Sequence, residues 1–479
     1  MSGPTVAIIG AGFSGLLTTL NLLRMSPDVS VQLIERRGVF GLGPAYATGN
    51  PKHLLNVRLS NMSAFPDKPH HLADWMAEQP AWFARDDFIT RGDYGRYLAH
   101  LLDQALRSDR DGERLSLIRG EVSAIRPHED GWKIMLDGRS STVADAVILA
   151  QGNLSPAAPA GLDPALIGSS RYLSDPWGAL DALPAEADDI LLIGAGLTMV
   201  DAAIALRRPG RRFTAVSRHG LLPRSHGSTT MASRKRTYSG GPAEVLRQAR
   251  LAAAEEDWRA VVDDVRHSAR LLWSSWSLPQ RSRFLRHLRA LWDNRRHRLA
   301  PGVAREITAM LASEQLEILA ARVLTVSAVN DHVEAVLKLR GGPQSPARRF
   351  DAVINCSGPT GDVTHSHDPL LKDLLRQGLA IPAALDLGLA VDPKSRLIDG
   401  RLLIHDRLFA VGPLTRGLFW EATAVPDLRE HAQVVAHHAL EALTPSHPAL
   451  ASISTNPVAN RSKLASFKPA TLMRPEASI

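Results

Sequence analysis

A chain of 479 residues is too long for one hydrophobic core, and 44% apolar with 22% charged residues is the balance of a globular protein, so two or three domains are expected. Its one cysteine, Cys356, excludes an intrachain disulfide framework and a redox-active dithiol, and suits a reducing compartment; a cytoplasmic location is expected. The net charge of +7 is concentrated, because residues 231–300 hold fifteen Lys and Arg against seven Asp and Glu, which raises anionic small molecules, acidic membranes or nucleic acid as partners.

In chain order, Thr5–Ile9 reads as a buried strand, 13–25 as a helix and Ser30–Glu35 as a second strand, a βαβ unit of about thirty residues. The stretch Thr5–Leu23 carries no charge and approaches bilayer-spanning length. Gly10, Gly12 and Gly15 within it, mixed with Ser14, Thr18, Thr19 and Asn21, make it a strand, turn and buried helix instead, and no basic segment precedes it as in a signal peptide. Gly-rich ordered loops follow over 38–51 and 53–66, then an amphipathic helix at Gly92–Leu106. Short strands end in the buried run Asp145–Ala150, and a Pro- and Ala-rich segment, 154–164, marks a domain crossing. A second βαβ unit starts at Asp189, and its second strand ends near Arg218. Residues 241–311 read as an inserted helical segment rich in Ala, Leu, Arg and Trp. Strands return at 316–329, 332–341 and 351–358, and a helix at 424–440. The tail, 446–479, is Ser-, Pro- and Ala-rich and is expected to be poorly ordered.

The two βαβ units carry the same turn. Gly10, Gly12 and Gly15 fit G-x-G-x-x-G between strand and helix: one glycine for the tight turn, one for backbone approach to a pyrophosphate, one for close helix–strand packing. Glu35 ends the next strand, where its carboxylate can accept from ribose hydroxyls. In the second unit Gly194 and Gly196 match, but Met199 takes the third glycine's place. Its second strand ends at Ser217 and Arg218; an acid there would repel a 2′-phosphate, whereas Arg218 attracts one, so NADPH is expected over NADH. Two dinucleotide folds in one chain suit hydride transfer between two dinucleotides, FAD at the acid-terminated site and NADPH at the Arg-terminated one. "DAVILAQGN" around Gly152 and "DAVINCSGP" are also a repeated pair, each a buried strand ending in glycine near a domain crossing.

The segments "GAGFSG", "GLGPAYAT", "HLLNVRLSNMSAFPDKP", "GAGLTMVD", "WDNRRHRLAP", "INCSGP" and "LFAVGPLTRGLFWEATAVPDLR" resemble the two-dinucleotide flavoprotein superfamily, and within it a bacterial family of FAD/NAD(P)-binding proteins. Some relatives look like single-component N-hydroxylating monooxygenases, and "FITRGDYGRYL" is similar to a segment of class B flavin monooxygenases. The resemblance implies that Gly412 and the backbone after it approach the flavin ring and that Asn56 and its neighbours line it from the other side. The expected fold is α/β, with two Rossmann-like dinucleotide-binding domains in a glutathione-reductase-like arrangement plus a helical insertion. The FAD domain would span 1–154 and 366–445, the NADPH domain 155–235 and 320–365, and the insertion 236–319. The expected FAD-holding residues are Gly10, Gly12, Phe13, Ser14, Gly15, Glu35, Arg36, Tyr46, Asn56, Val122, Gly152, Gly412 and Trp420. For NADPH they are Gly194, Gly196, Thr198, Ser217 and Arg218.

With no second cysteine, the reduced flavin must pass its electrons elsewhere, and oxygen is the leading acceptor. A flavin C4a-hydroperoxide needs a water-poor cavity and no side-chain nucleophile, which accords with the lack of a triad, a metal cluster or paired carboxylates in the sequence. His431, His437 and His438 read as helix surface. In the insertion, Trp258, Trp273, Trp276 and Trp292 accompany Arg283, Arg286 and Arg289, which recur every third residue and share a helix face. This is either a lid whose Arg face holds a carboxylate substrate or the NADPH phosphates, or a solvated basic face over a Trp-anchored core. The expected function is therefore an FAD- and NADPH-dependent monooxygenase that N-hydroxylates a small amine or amino acid with molecular oxygen. An oxygen-independent FAD oxidoreductase serving an organic or protein acceptor stays open. A flavin-bound sensor or basic nucleic-acid module is disfavoured, because the Arg-rich helices lack aromatics interleaved in a sheet. No membrane span is expected, and oligomeric state is not legible.

Overall fold

The computed structural model describes residues 3–444 apart from 80–87, 110, 138–139, 179 and 228–235; the tail expected to be poorly ordered lies outside the described residues. The strands in chain order are β1 (Thr5–Ile9), β2 (Ser30–Glu35), β3 (Leu115–Arg119), β4 (Val122–His128), β5 (Gly131–Leu136), β6 (Ser140–Ala144), β7 (Ala146–Leu149) and β8 (Tyr172–Leu173). They continue as β9 (Asp189–Ile193), β10 (Arg212–Ser217), β11 (Leu316–Val329), β12 (His332–Leu339), β13 (Arg348–Phe350), β14 (Ala352–Asn355), β15 (Arg396–Ile398) and β16 (Ile404–Ala410). The α-helices are α1 (Phe13–Met25), α2 (Gly43–Tyr46), α3 (His71–Ala77), α4 (Arg91–Ser108), α5 (Leu197–Leu206) and α6 (Pro242–Glu255). After these come α7 (Trp258–Ser275), α8 (Leu278–Arg283), α9 (Arg289–Arg296), α10 (Pro301–Ala312), α11 (Pro369–Gln377) and α12 (Val425–Leu443).

Two parallel-cored sheets organise the chain. The first runs β15-β16-β7-β1-β2-β3 and draws on both ends of the described chain; the second runs β13-β12-β11-β10-β9-β14-β8. A three-stranded antiparallel sheet, β4-β5-β6, stands beside the first. The central strands are uninterrupted aliphatic runs because helices cover both faces of a parallel sheet. Helix α1 is buried along almost its whole length and packs on α12. Its polar side chains turn inward on their own helix: Thr18 and Thr19 donate to the carbonyls of Ser14 and Gly15, and Asn21 to that of Leu17. This explains how an uncharged stretch of near-membrane length becomes a core helix, and no helix among the described residues is long and apolar enough to cross a membrane.

The two sheets repeat one another in detail. β7 lies parallel to β1 with Val6 opposite Ala146, and β14 lies parallel to β9 with Ile190 opposite Ala352. At the base of each pair one aspartate closes the ladder. Asp145 Oδ2 accepts from Thr5 N at 2.7 Å, and Asp351 Oδ2 from Asp189 N at 2.9 Å.

Helices α6–α10 form the insertion between β10 and β11. Trp273, Trp276 and Phe284 make its core together with Trp420 from the loop that follows β16. A π-helical turn at Phe284–Leu288 separates α8 from α9. The wider turn disrupts the face expected for Arg283, Arg286 and Arg289. The first two are exposed, whereas Arg289 is half-buried and its Nε donates to Asp293 at 3.3 Å.

Candidate functional site

The first glycine turn is shaped by backbone contact. Gly10 has φ +102°, and a Cβ there would meet the Ala150 carbonyl oxygen at 2.5 Å; a Cβ on Gly15 would lie 1.9 Å from the Gly10 oxygen. Strand, turn and helix are therefore as close as backbone allows. Gly12 caps α1 without any side-chain hydrogen bond, so the first amides of that thirteen-residue helix and its positive end stay available. Glu35 Oε2 accepts from Ala11 N and its Oε1 from Arg37 N, both at 3.1 Å, which braces the turn and leaves acceptor capacity for ribose hydroxyls. Beyond Glu35 an open cleft of about 590 Å³ is lined by Arg36, Arg37, Arg119, Gly120, Glu121 and Asp137. Uncapped amides, a Cβ-free turn, a carboxylate and this cleft fit the diphosphate, ribose and base of a dinucleotide.

The remaining first-sheet candidates fall at several places. Phe13 packs edge-on to Tyr46 at 5.9 Å, and both contact Tyr94. Ser14 is buried, and its Oγ lies 2.9 Å from where a Gly412 Cβ would stand. Val122 opens β4 at a register shift, and Gly152, with φ +74°, faces open space. Trp420 stacks on Trp273 at 4.7 Å in the insertion core, with Arg416 and Arg289 over its ring.

The second turn matches the first where they can be compared. A Cβ on Gly194 would lie 2.2 Å from the Cys356 carbonyl oxygen, as Gly10 would meet Ala150. Gly196 caps α5 without a side-chain bond, and Thr198 is in its first turn. Met199, in place of a third glycine, is fully buried. At the end of β10, Ser217 Oγ accepts from Gly220 N at 3.1 Å and Arg218 is exposed. Arg340 donates to His219 Nδ1 at 3.1 Å, and burial together with Arg340 and Arg218 lowers the pKa of His219. Arg340 thus adds to the positive charge at Arg218; it lies 122 residues further along, out of reach of local pattern.

Between the sheets, side chains of each half meet. Arg91, first residue of α4, donates to Asp201 Oδ2 on α5 at 3.0 Å, with both side chains nearly buried and the Arg91 guanidinium over Trp177. Asp201's pKa is raised, burial outweighing Arg91. The Asn56 carbonyl accepts from His226 Nε2 at 3.0 Å, and burial lowers the His226 pKa to about 4, so the ring is neutral with its proton on Nε2. Asn56 therefore contacts the loop that leads from β10 into the insertion.

His431 is a correction: it is buried, not helix surface, while His437 is exposed. Its Nδ1 accepts from Gly412 N at 3.2 Å, so Nε2 carries the proton and donates to Ser395 Oγ at 2.9 Å. Burial, with Arg270 nearby, holds its pKa down to about 3. This neutral ring anchors the start of the Gly412 loop. Among the described residues no group of His, Cys, Asp and Glu could hold a metal ion. Cys356 is buried, and burial raises its thiol pKa.

Residues 7–154 match a family model described as FAD-NAD(P)-binding, and with two repeated sheets the fold is that of the two-dinucleotide-domain flavoproteins. Solved structures similar to the chain include the ornithine hydroxylase of Pseudomonas aeruginosa (14% identity, TM-score 0.64) and the ornithine N-hydroxylase of Kutzneria sp. 744 (16%, 0.61). The L-lysine 6-monooxygenase of Pseudomonas syringae is similar too (15%, 0.60); each match covers 92% of this chain and 99% of the other. Thioredoxin reductase of T. acidophilum shares the fold at 13% identity and TM-score 0.51. No curated protein matches in sequence.

Proposed function

We propose that this chain is an FAD-dependent, NADPH-using oxidoreductase, and within that class a single-component monooxygenase that N-hydroxylates a small amine or amino acid. The observation that carries the reading is the duplicated turn. Gly10 against Ala150 and Gly194 against Cys356 make two dinucleotide cradles on two sheets, one followed by Glu35 and the other by Arg218 with Arg340 close by. Gly10, Gly12, Gly15 and Glu35 would hold FAD, with Arg36 beside the open cleft. Gly194, Gly196, Thr198, Ser217 and Arg218 would hold NADPH. Bound FAD supplies two-electron chemistry and reactivity toward oxygen. The chain's own contribution is to orient both dinucleotides and to keep His226 and His431 neutral. The hydroxylases of similar fold act on ornithine and lysine, and their fold without a second cysteine here favours an oxygenase over a dithiol reductase.

The test is direct. Purified protein should show flavin absorbance, be reduced faster by NADPH than by NADH without oxygen, and consume oxygen with hydroxylamine formation when an amine substrate is added. A colourless protein that refuses FAD refutes the flavoprotein reading. A reduced flavin that air reoxidises only slowly refutes the oxygenase and favours an oxygen-independent oxidoreductase.

A further inference from the structure

The inward-facing arginines of the helical insertion are occupied within the chain. Arg296 on α9 has a side chain only 9% exposed and pairs with Glu421 at 3.3 Å and with Asp427 at 3.6 Å. Arg266 on α7 pairs with Asp427 at 2.9 Å. Within this group two guanidinium groups meet two carboxylates, so their charge is balanced without a bound anion. Arg283 and Arg286 face solvent instead.

These pairs fall on one segment, the loop 411–424 between β16 and α12 together with the first turn of that helix. Trp273 Nε1 and Arg281 Nη1 donate to the Gly417 carbonyl at 3.0 and 3.4 Å. Trp420 stacks on Trp273 at 4.7 Å, and Trp292 Nε1 donates to Glu421 Oε1 at 2.9 Å. Helices α7, α8 and α9 therefore pin the segment at Gly417, Trp420, Glu421 and Asp427. Its other end lies on the first cradle. A Cβ on Gly412 would stand 2.9 Å from Ser14 Oγ, in the uncapped first turn of α1, and Val411 N donates to the Leu149 carbonyl at the end of β7. One continuous span thus joins the insertion to the turn of Gly10, Gly12 and Gly15.

We propose that the insertion is a brace for the first cradle and that Arg296 is its positioning residue: by holding Glu421 and Asp427 it keeps the loop 411–424 seated beside the start of α1, where FAD binds. The inference rests on the FAD reading above and gives the insertion a part in it. A loop that must be in place before FAD can bind divides the affinity by the fraction of molecules in which it is in place. The coupling is reciprocal, so FAD in turn steadies the loop and the helices that grip it. Removing the Arg296 charge takes from Glu421, 11% exposed, its ion-pair partner. A nearly buried carboxylate in that state is drawn toward water, and the loop goes with it.

The experiment compares the full chain with and without FAD by hydrogen exchange, FAD titration and thermal unfolding. In the wild type, FAD should slow exchange over 412–424 and in α7 and α9, and do so more than in β12 and β13 of the second sheet. Arg296→Gln should raise the Kd for FAD about tenfold, the value for a loop in place in about one molecule in ten. Arg296→Lys should recover most of that affinity, and Arg283→Gln, at an exposed site, should bind FAD as wild type does. A merely structural Arg296 would lower Tm equally with and without FAD, whereas a positioning one shrinks the rise in Tm that FAD brings. Where R296Q does not fold, Trp273→Phe, which keeps a ring and loses the donor to Gly417, takes its place with the same expected direction. The proposal is overturned if the variant binds FAD as wild type does, if its Tm losses are equal with and without FAD, or if FAD protects α1 while α7 and α9 exchange as before. None of these readouts needs turnover. A wild type that refuses FAD removes the flavin reading and the brace with it; a wild type and an R296Q variant that bind FAD equally remove the brace alone.

Discussion

His431 lets acid stability be worked out residue by residue. In the folded chain its ring is buried and neutral, with a pKa near 3 against 6.5 when free. A basic group whose folded pKa is depressed binds its proton only in the unfolded chain, so stability falls as pH drops from 6.5 toward 3. At pH 5.0 the ring stands one and a half units below its free value, which costs about 2 kcal/mol relative to pH 7 at about 1.4 kcal/mol per unit. Replacing His431 with Leu removes this titration but leaves Gly412 N and Ser395 Oγ without their buried partner. At pH 7 that loss is worth about 2–4 kcal/mol, from one buried donor and one hydroxyl left unpaired. The variant should thus be clearly weaker at pH 7, and the gap to wild type should shrink by about 2 kcal/mol at pH 5. Urea unfolding of both proteins at the two pH values measures the double difference. A gap that stays constant, or widens in acid, refutes the neutral buried ring and the tautomer assigned to it.

Two further perturbations address the dinucleotide cradles. Gly10→Ala forces a left-handed backbone and a Cβ 2.5 Å from the Ala150 oxygen; it should cost about 3 kcal/mol or more and abolish FAD retention, whereas Gly152→Ala, with open space around it, should cost about 1–2 kcal/mol. Equal Tm losses would show that the turn tolerates a side chain. Arg218→Glu should raise the KM for NADPH roughly tenfold or more while leaving NADH within about twofold, a modest effect because the side chain is exposed; steady-state kinetics with both nucleotides decide it, and an equal change for both would remove the 2′-phosphate from Arg218.

Much of the architecture can be read from linear pattern because it is built from local rules. Aliphatic runs such as Val6–Ile9 and Ile190–Ile193 are continuous since both faces of a parallel sheet are covered. The repeat of "DAVI" is visible in the chain, although its use, an aspartate closing each ladder, emerges only in three dimensions. His431 is misread as surface despite a usable signal. The buried α12 positions Leu428, Ala432, Val435, Ala436 and Ala439 follow helical spacing, and residue 431 falls on the same face, three after Leu428 and four before Val435. Arg416 lies inside a recognised motif, but no spacing reveals that its guanidinium stands over the Trp420 ring at the edge of the insertion core. The shared Arg face of the insertion fails because a π turn is a local widening that simple three-residue counting does not anticipate.

Arg91 and Asp201 join α4 of one half to α5 of the other. Any swivel of the halves must first separate a pair of charges shielded from water, which costs on the order of 3–5 kcal/mol. Swivelled forms would then occupy between about one molecule in a hundred and one in several thousand. A nicotinamide would then have to reach its partner with the two halves held in place by this pair.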